Sequence, residues 1–276
     1  MEMKSFEGKR AYIPGGSMGI GLAAAKILAG EGAHVVLFAR NEDALAKAAN
    51  EIRAARKNAT QQVETRRLDV ADHEAATATM NAVVTELGAP DLLINCAGVS
   101  NPAYFEDVTL DMLDQVMRVN LYGTWSVTQA LAPHLKSRAG SAIVNVSSVA
   151  GFLGIIGFTH YSASKFAVMG FSEALRMEMK RHGVSVHVLC PPDTDTPGLR
   201  AENETKPPEC IALSEGGGLL SAEQVARAML DGVKTGRFMI VPGAQGRFAW
   251  LAQRLVPGVV RFELDRQLRS FAKKRG

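Results

Sequence analysis

Tyr161 and Lys165, in the stretch YSASK, are four residues apart and share one face of any helix that contains them. A free phenol, with a pKa of about 10, is a poor acid or base at neutral pH. A lysine ammonium one turn away is expected to stabilise the phenolate and lower that value. Such a pair can pass a proton to or from an oxygen whose charge is changing. Thirteen residues before the tyrosine stands Ser148, beside Ser147 in NVSSVAG. A hydroxyl aimed at the same oxygen would polarise it further. Alone, Y-x-x-x-K describes a half-buried tyrosine beside a surface lysine equally well, so its surroundings must decide.

A second stretch points the same way. Residues 13–21, IPGGSMGIG, hold four glycines between an apolar run and a helical pattern. A helix N-terminus presents unpaired N–H groups and a partial positive charge. Glycine lets a pyrophosphate come close to that backbone. Gly15 is expected to make the turn, Gly19 to admit phosphate, and Gly21 to pack helix on strand. The next strand end would read the adenosine ribose. An acid there would favour NAD, but this chain has Ala39-Arg40-Asn41. Arg40 suits a 2′-phosphate, hence NADPH, with the Ser17 hydroxyl as an addition.

The elements that must position these groups alternate along the chain. Strands are expected at 10–14, 34–39, 62–68, 91–95, 141–147, 185–190 and 237–241, several of them short, nearly continuous apolar runs. Helical patterns fall at 19–30, 41–57, 72–87, 109–137 (with one break), 161–182 and 222–234. Gly32 and Gly183 mark helix C-termini, and Ser221 to Gln224 reads as a capping box. Repeated βα units imply right-handed crossovers and a doubly wound α/β sheet, with Ser148 at a strand end where ligands sit. Residues 192–220, rich in Pro, Gly and charge, read as a lid.

Bulk properties exclude several classes. The 276 residues are 47% hydrophobic and 21% charged, with a net charge of +3, which does not argue for nucleic acid. Cys96, Cys190 and Cys210 lack metal-ligand spacing; three scattered cysteines predict reduced thiols and a cytoplasmic setting. The start, MEMKSFEGKR, has no signal-peptide core, and no run reaches the ~18 apolar residues needed to span a bilayer. Charge is uneven, however. Residues 244–276 carry eight Lys/Arg against two acids, leaving −3 for the rest.

Taken together, GGSMGIG (15–21), LDV (68–70), NCAG (95–98), VMRVN (116–120), VSS (146–148), YSASK and PPDTDTP (191–197) resemble the short-chain dehydrogenase/reductase family over about residues 7–242. The resemblance implies one Rossmann domain, 1–243, with a mostly parallel seven-stranded sheet. It implies that Tyr161 is the proton donor, that Lys165 tunes it and holds the nicotinamide ribose, and that Ser148 binds the substrate carbonyl. Asn120 would seat a water in a relay to Lys165. Gly15, Ser17, Gly19, Ile20, Gly21, Arg40, Asp69, Val70, Asn95, Ala97, Gly98, Thr194 and Thr196 would bind NADPH along with Tyr161 and Lys165; no metal is implied. Relatives are commonly dimers or tetramers through the helices at 109–137 and 161–182.

Three residues depart from the family pattern. Pro14 stands for a threonine, Cys96 for a second asparagine and Pro192 for a glycine; none removes a reacting group. Residues 191–209 and 157–167 resemble the branch of the family that reduces the 3-keto group of a long-chain amino alcohol. That implies a lipid ketone substrate, whose amine would favour the lid acids Asp193, Asp195, Glu202, Glu204 and Glu209. A 3-oxoacyl carrier-protein reductase or a hydroxysteroid dehydrogenase fits the same motifs. A cofactor-sensing protein would not need Ser148, Tyr161 and Lys165 together. The tail, 244–276, reads either as a basic amphipathic segment at a membrane interface or as a helix packed on the domain, broken at Pro257-Gly258.

Overall fold

Short apolar runs that are covered on both faces form parallel strands, and the amphipathic stretches between them cover those faces. A computed structural model describes residues 3–214 and 218–275; residues 215–217 of the expected lid lie outside it. Among the described residues the strands are β1 Arg10–Pro14, β2 His34–Ala39, β3 Val63–Arg67, β4 Leu92–Asn95, β5 Ala142–Val146, β6 Ser185–Leu189, β7 Thr194–Asp195, β8 Leu220–Ser221 and β9 Met239–Ile240. The helices are α1 Gly19–Gly30, α2 Glu42–Ala54, α3 His73–Leu87, α4 Leu110–Met117, α5 Thr124–Lys136, α6 Thr159–Lys180, α7 Pro197–Asn203, α8 Pro208–Ser214, α9 Ala222–Lys234, α10 Ala244–Leu255 and α11 Pro257–Arg275.

Seven parallel strands form one sheet in the order β3-β2-β1-β4-β5-β6-β9. Chain direction across the sheet reverses between β1 and β4, which opens a crevice at their carboxyl ends. Alternate strand residues feed two cores. Ile13, Leu37, Ile94 and Val144 pack with α1, α2 and α9. Tyr12, Phe38, Leu93 and Ile143 pack with α3 and α5 on the other face. Helix starts follow side-chain chemistry. Asn41, Asp72, Thr109 and Thr196 each accept an N–H of their own first turn. Ser221 and Gln224 make both bonds of the expected capping box, at 3.1 and 2.9 Å.

Two expectations change. Residues 109–137 are not broken: α4 continues through a π-helical turn, Arg118–Gly123, into α5. The wider turn carries Asn120, and Gly123 is needed there because a Cβ would lie 2.8 Å from Val70 Cγ2. Residues 192–220 are not an open loop: β7 pairs with β8, and α7 and α8 lie between them. Thr196 caps α7 and Pro197 starts it, so local chemistry alone closes that helix. The tail divides at Pro257 as expected and folds back on the domain, with Trp250 against the small core of Val188, Cys190 and Val241.

Candidate active site

A cavity of about 1120 Å³ opens at the carboxyl ends of the strands. The turn after β1 supplies Gly15, Ser17, Gly19 and Ile20 to its wall. Gly15 has φ +79°, and a Cβ on it would lie 2.5 Å from the Ala97 nitrogen. Gly19 has φ +56° and faces Thr196. Gly21 lies outside the wall; a Cβ there would strike the Gly15 carbonyl, so it packs α1 against the turn. The turn is thus a bare backbone cradle at a helix N-terminus, and Met18, which opens α1, makes no side-chain cap. Pro14 keeps its carbonyl in the sheet: Cys96 N–H donates to it at 2.9 Å.

Arg40 lines the cavity, exposed, with no hydrogen bond or ion pair among the described residues. Asn41 is committed to capping α2, accepting from Ala44 N at 2.9 Å. Asp69, Val70, Ala97, Gly98, Thr194 and Thr196 also line the cavity. Asp69 Oδ1 accepts from Ala71 N at 3.0 Å, which orders the turn after β3.

The reacting groups meet at the cavity floor. Ser148 follows β5 and its oxygen accepts from Ala150 N at 3.1 Å, leaving the hydroxyl proton for another acceptor. Ser147 is turned inward and donates to the Lys165 carbonyl at 3.0 Å, tying α6 to the strand end. Lys165 is buried, and its Nζ donates to Val146 O at 2.9 Å and lies 5.6 Å from the Tyr161 ring centre. Asn120 Oδ1 accepts from Val99 N at 2.9 Å, and its Nδ2 donates to Val99 O and Ser164 Oγ. A Cβ on Gly98 would lie 3.3 Å from Asn120 Oδ1 and 3.4 Å from Lys165 Nζ, so three segments converge at that glycine.

The electrostatics correct one expectation. The Tyr161 phenol is pushed up, not down: burial dominates, and the Glu202 charge adds to it, against the Ser148 hydroxyl. Burial also pulls Lys165 down to about 8, which weakens it as a positive neighbour. Burial pushes Cys96 up to about 11, so it packs as an inert thiol.

Asn95 is a second correction. It does not line the cavity. Its amide donates to Thr128 Oγ1 at 2.9 Å and Asn145 Oδ1 at 2.8 Å, and Asn145 donates to Ser172 Oγ at 2.9 Å. This buried network, through the Asn95 and Asn145 amide N–H groups, braces α5 and α6 against β4 and β5. Asn120 likewise lies behind the wall rather than in it. Sequence reasoning missed Asn145 and Ser172; a polar residue interrupting the apolar run AIVNV was the available signal. It also missed the far wall, where Leu213, Phe248, Leu264 and Leu268 come from α8, α10 and α11.

The profile of the short chain dehydrogenase family matches residues 9–207. This chain belongs to that family. A 3-ketodihydrosphingosine reductase from Mus musculus is 40% identical over 240 residues, covering 87% of this chain and 72% of its own. A 3-dehydrosphinganine reductase from Danio rerio matches at 40% over the same 240-residue length and the same shares. A solved short chain dehydrogenase/reductase from Burkholderia phymatum, in complex with NAD, superposes with a TM-score of 0.80 at 27% identity, over 95% of this chain and 97% of its own. Membership makes the chain an oxidoreductase and accounts for the glycine cradle, the strand-end serine and the tyrosine–lysine pair on α6.

Proposed function

We propose that this enzyme reduces 3-ketodihydrosphingosine to dihydrosphingosine with NADPH, a step of sphingolipid biosynthesis. The observation that carries this reading is one cavity that joins Ser148 and Tyr161 to an apolar wall, in a chain 40% identical to a reductase named for that ketone. The apolar wall suits an alkyl chain, because burying each CH₂ is worth about 0.8 kcal/mol.

A nicotinamide dinucleotide, when bound, supplies the hydride. Gly15 and Gly19 leave room for its phosphates at the start of α1, while Asp69, Val70, Ala97, Gly98, Thr194 and Thr196 line the remaining wall. Ser148 and Tyr161 hold the substrate oxygen, and the neutral phenol gives up its proton as alkoxide develops. Lys165 supports the reprotonation of Tyr161, and Asn120 fixes the backbone beside it. The test is NADPH oxidation with 3-ketodihydrosphingosine in mixed micelles, beside an acetoacetyl thioester and a ketosteroid. Turnover confined to the sphingoid ketone supports the reading; turnover of only the others overturns the substrate.

Arg40 supports NADPH over NADH as an unpaired guanidinium in the cavity wall. Arg40→Ala is expected to weaken NADPH binding about 10- to 100-fold and leave NADH binding unchanged, the loss of one charge-assisted contact. Fluorescence titration measures both. Tighter binding of NADH than NADPH by the unaltered protein would sink the assignment.

The tail supports peripheral attachment at the cytoplasmic face of a membrane. Phe248, Leu255, Val259 and Phe262 are 74, 74, 63 and 63% exposed. Arg247, Arg254, Arg261 and Arg269 are exposed and form no ion pair among the described residues. Apolar and basic groups on one surface match an anionic bilayer. Among the described residues no helix is long and apolar enough to cross a membrane. The double variant Leu255→Glu, Phe262→Glu is expected to lose most pelleting with anionic liposomes; pelleting equal to the unaltered protein removes the attachment. A homo-oligomer is supported by exposed Tyr122, Trp125 and Phe166 on and beside α5 and α6.

A further inference from the structure

The lid places five acids near the cavity, and four are otherwise accounted for. Asp195 is exposed and ion-paired with Arg200 at 2.9 Å. Glu204 is exposed, and Glu209 accepts from the Tyr104 hydroxyl. Asp193 is bonded by Lys206 Nζ at 3.2 Å. Glu202 differs. Its side chain is 23% exposed and lines the cavity with Tyr161, as Asp193 also does, but it stands 3.9 Å from Lys206 where Asp193 is bonded at 3.2 Å. Two carboxylates therefore share one buried lysine, which leaves a single negative charge facing the cavity.

Groups from every side feel that charge. Burial, and then Asp193, raise the Glu202 pKa, while Lys206, Lys165 and the Ser100 hydroxyl pull it back towards the ionised form. Glu202 in turn raises the Tyr161 pKa, so it lies near the reacting phenol. Beside it stands Ser100, whose oxygen is buried, lines the same cavity and lies within reach of the Glu202 carboxylate, which its hydroxyl favours in the ionised form. A half-buried carboxylate that shares one lysine with a second acid, backed by a buried hydroxyl in the wall beside Tyr161, marks a polar subsite for a cation.

We infer that Glu202 binds the ammonium group of the substrate, with Ser100 beside it for the neighbouring hydroxyl. The inference rests on the sphingoid-ketone reading above. In that ketone the carbonyl carbon is bonded directly to the carbon carrying the amine, and the next carbon carries a hydroxyl. Ser148 and Tyr161 fix the carbonyl, so the amine must lie within a few ångströms of Tyr161, on the polar side of the cavity. The alkyl chain then leaves towards Leu213, Leu264 and Leu268. Closing Glu202 onto an ammonium neutralises the excess charge of the Asp193–Glu202–Lys206 group.

The test compares kcat/KM for 3-ketodihydrosphingosine with that for the same chain lacking the amine, 1-hydroxyoctadecan-3-one. The unaltered enzyme is expected to prefer the amine-bearing ketone about 10- to 100-fold, as for a charge-assisted contact. Glu202→Gln is expected to lower kcat/KM for the amine-bearing ketone about 10- to 100-fold more than for the amine-free one, mainly through KM, so that the preference is lost; Glu202→Asp restores part of it. A role confined to bracing Lys206 predicts equal losses on both ketones, and that result overturns the inference. Equal kcat/KM for the two ketones in the unaltered enzyme overturns it without any variant. Turnover of neither ketone by the unaltered enzyme instead removes the sphingoid reading itself, and the inference with it.

Discussion

Tyr161→Phe is expected to lose on the order of 10³-fold or more in turnover while still binding the dinucleotide. The substitution removes one hydroxyl and little else. The ring keeps its packing on Phe158, with centres 5.4 Å apart, and its place below the Lys165 ammonium. What goes is the proton donor, worth about 10²–10⁴-fold. One of two hydrogen bonds to the developing oxyanion goes with it, worth about 10²–10³-fold in other sites. The two losses overlap, since one hydroxyl supplies both. Burial keeps the Tyr161 phenol protonated at neutral pH and makes it a weaker acid than a free phenol, so its proton moves only as the alkoxide develops against it. Single-turnover reduction measures the loss, and quenching of protein fluorescence by NADPH measures binding. Near-native turnover in the variant refutes Tyr161 as the acid.

Gly15→Ala is the second large effect, and it acts on stability and cofactor binding together. The residue sits at φ +79°, which costs an L-residue about 1–2 kcal/mol. Its Cβ would lie 2.5 to 2.7 Å from the backbone of Cys96 and Ala97. That backbone cannot retreat freely, because Cys96 N–H is bonded to Pro14 O at 2.9 Å. Overpacking adds about 1–3 kcal/mol, so Tm should fall by about 5–15 °C. Ala97 and Gly98 line the cavity, so their displacement should abolish measurable NADPH binding. Gly170→Ala is the control: nothing lies within 4 Å of that added methyl on α6, and helix propensity predicts unchanged or slightly higher Tm. A Tm for Gly15→Ala within a degree of the unaltered protein would show that the turn has room.

Much of this architecture was legible in the sequence, because its signals are local. The apolar runs became strands with ends moved by one or two residues, and Ser221-x-x-Gln224 became a capping box since both partners lie within one turn. Gly15 and Gly19 do adopt positive φ, and Tyr161 and Lys165 do share a face of α6, because backbone sterics and helical period act over a few residues.

What failed depended on which distant segments cover which. Asn95 carries a family motif, yet lies behind the wall because Thr128 and Asn145, 33 and 50 residues away, claim its amide. The phenol of Tyr161 is raised because desolvation outweighs its neighbours, and burial is a property of the whole fold. The five lid acids look alike in sequence; only packing brings Asp193 and Glu202 to the cavity wall and gives Lys206 first to Asp193. The tail's pattern fitted a membrane face or a packed helix; Leu264 and Leu268 line the cavity while Phe262 and Val259 are exposed. By itself, then, the sequence determined the alternating α/β scaffold, the glycine cradle and the placing of Tyr161 and Lys165 on one face of α6, because period, capping and turn chemistry are written within a turn or two. The tertiary structure alone decided burial, charge balance and the closing wall, because those come from residues far apart in the chain excluding water from one another.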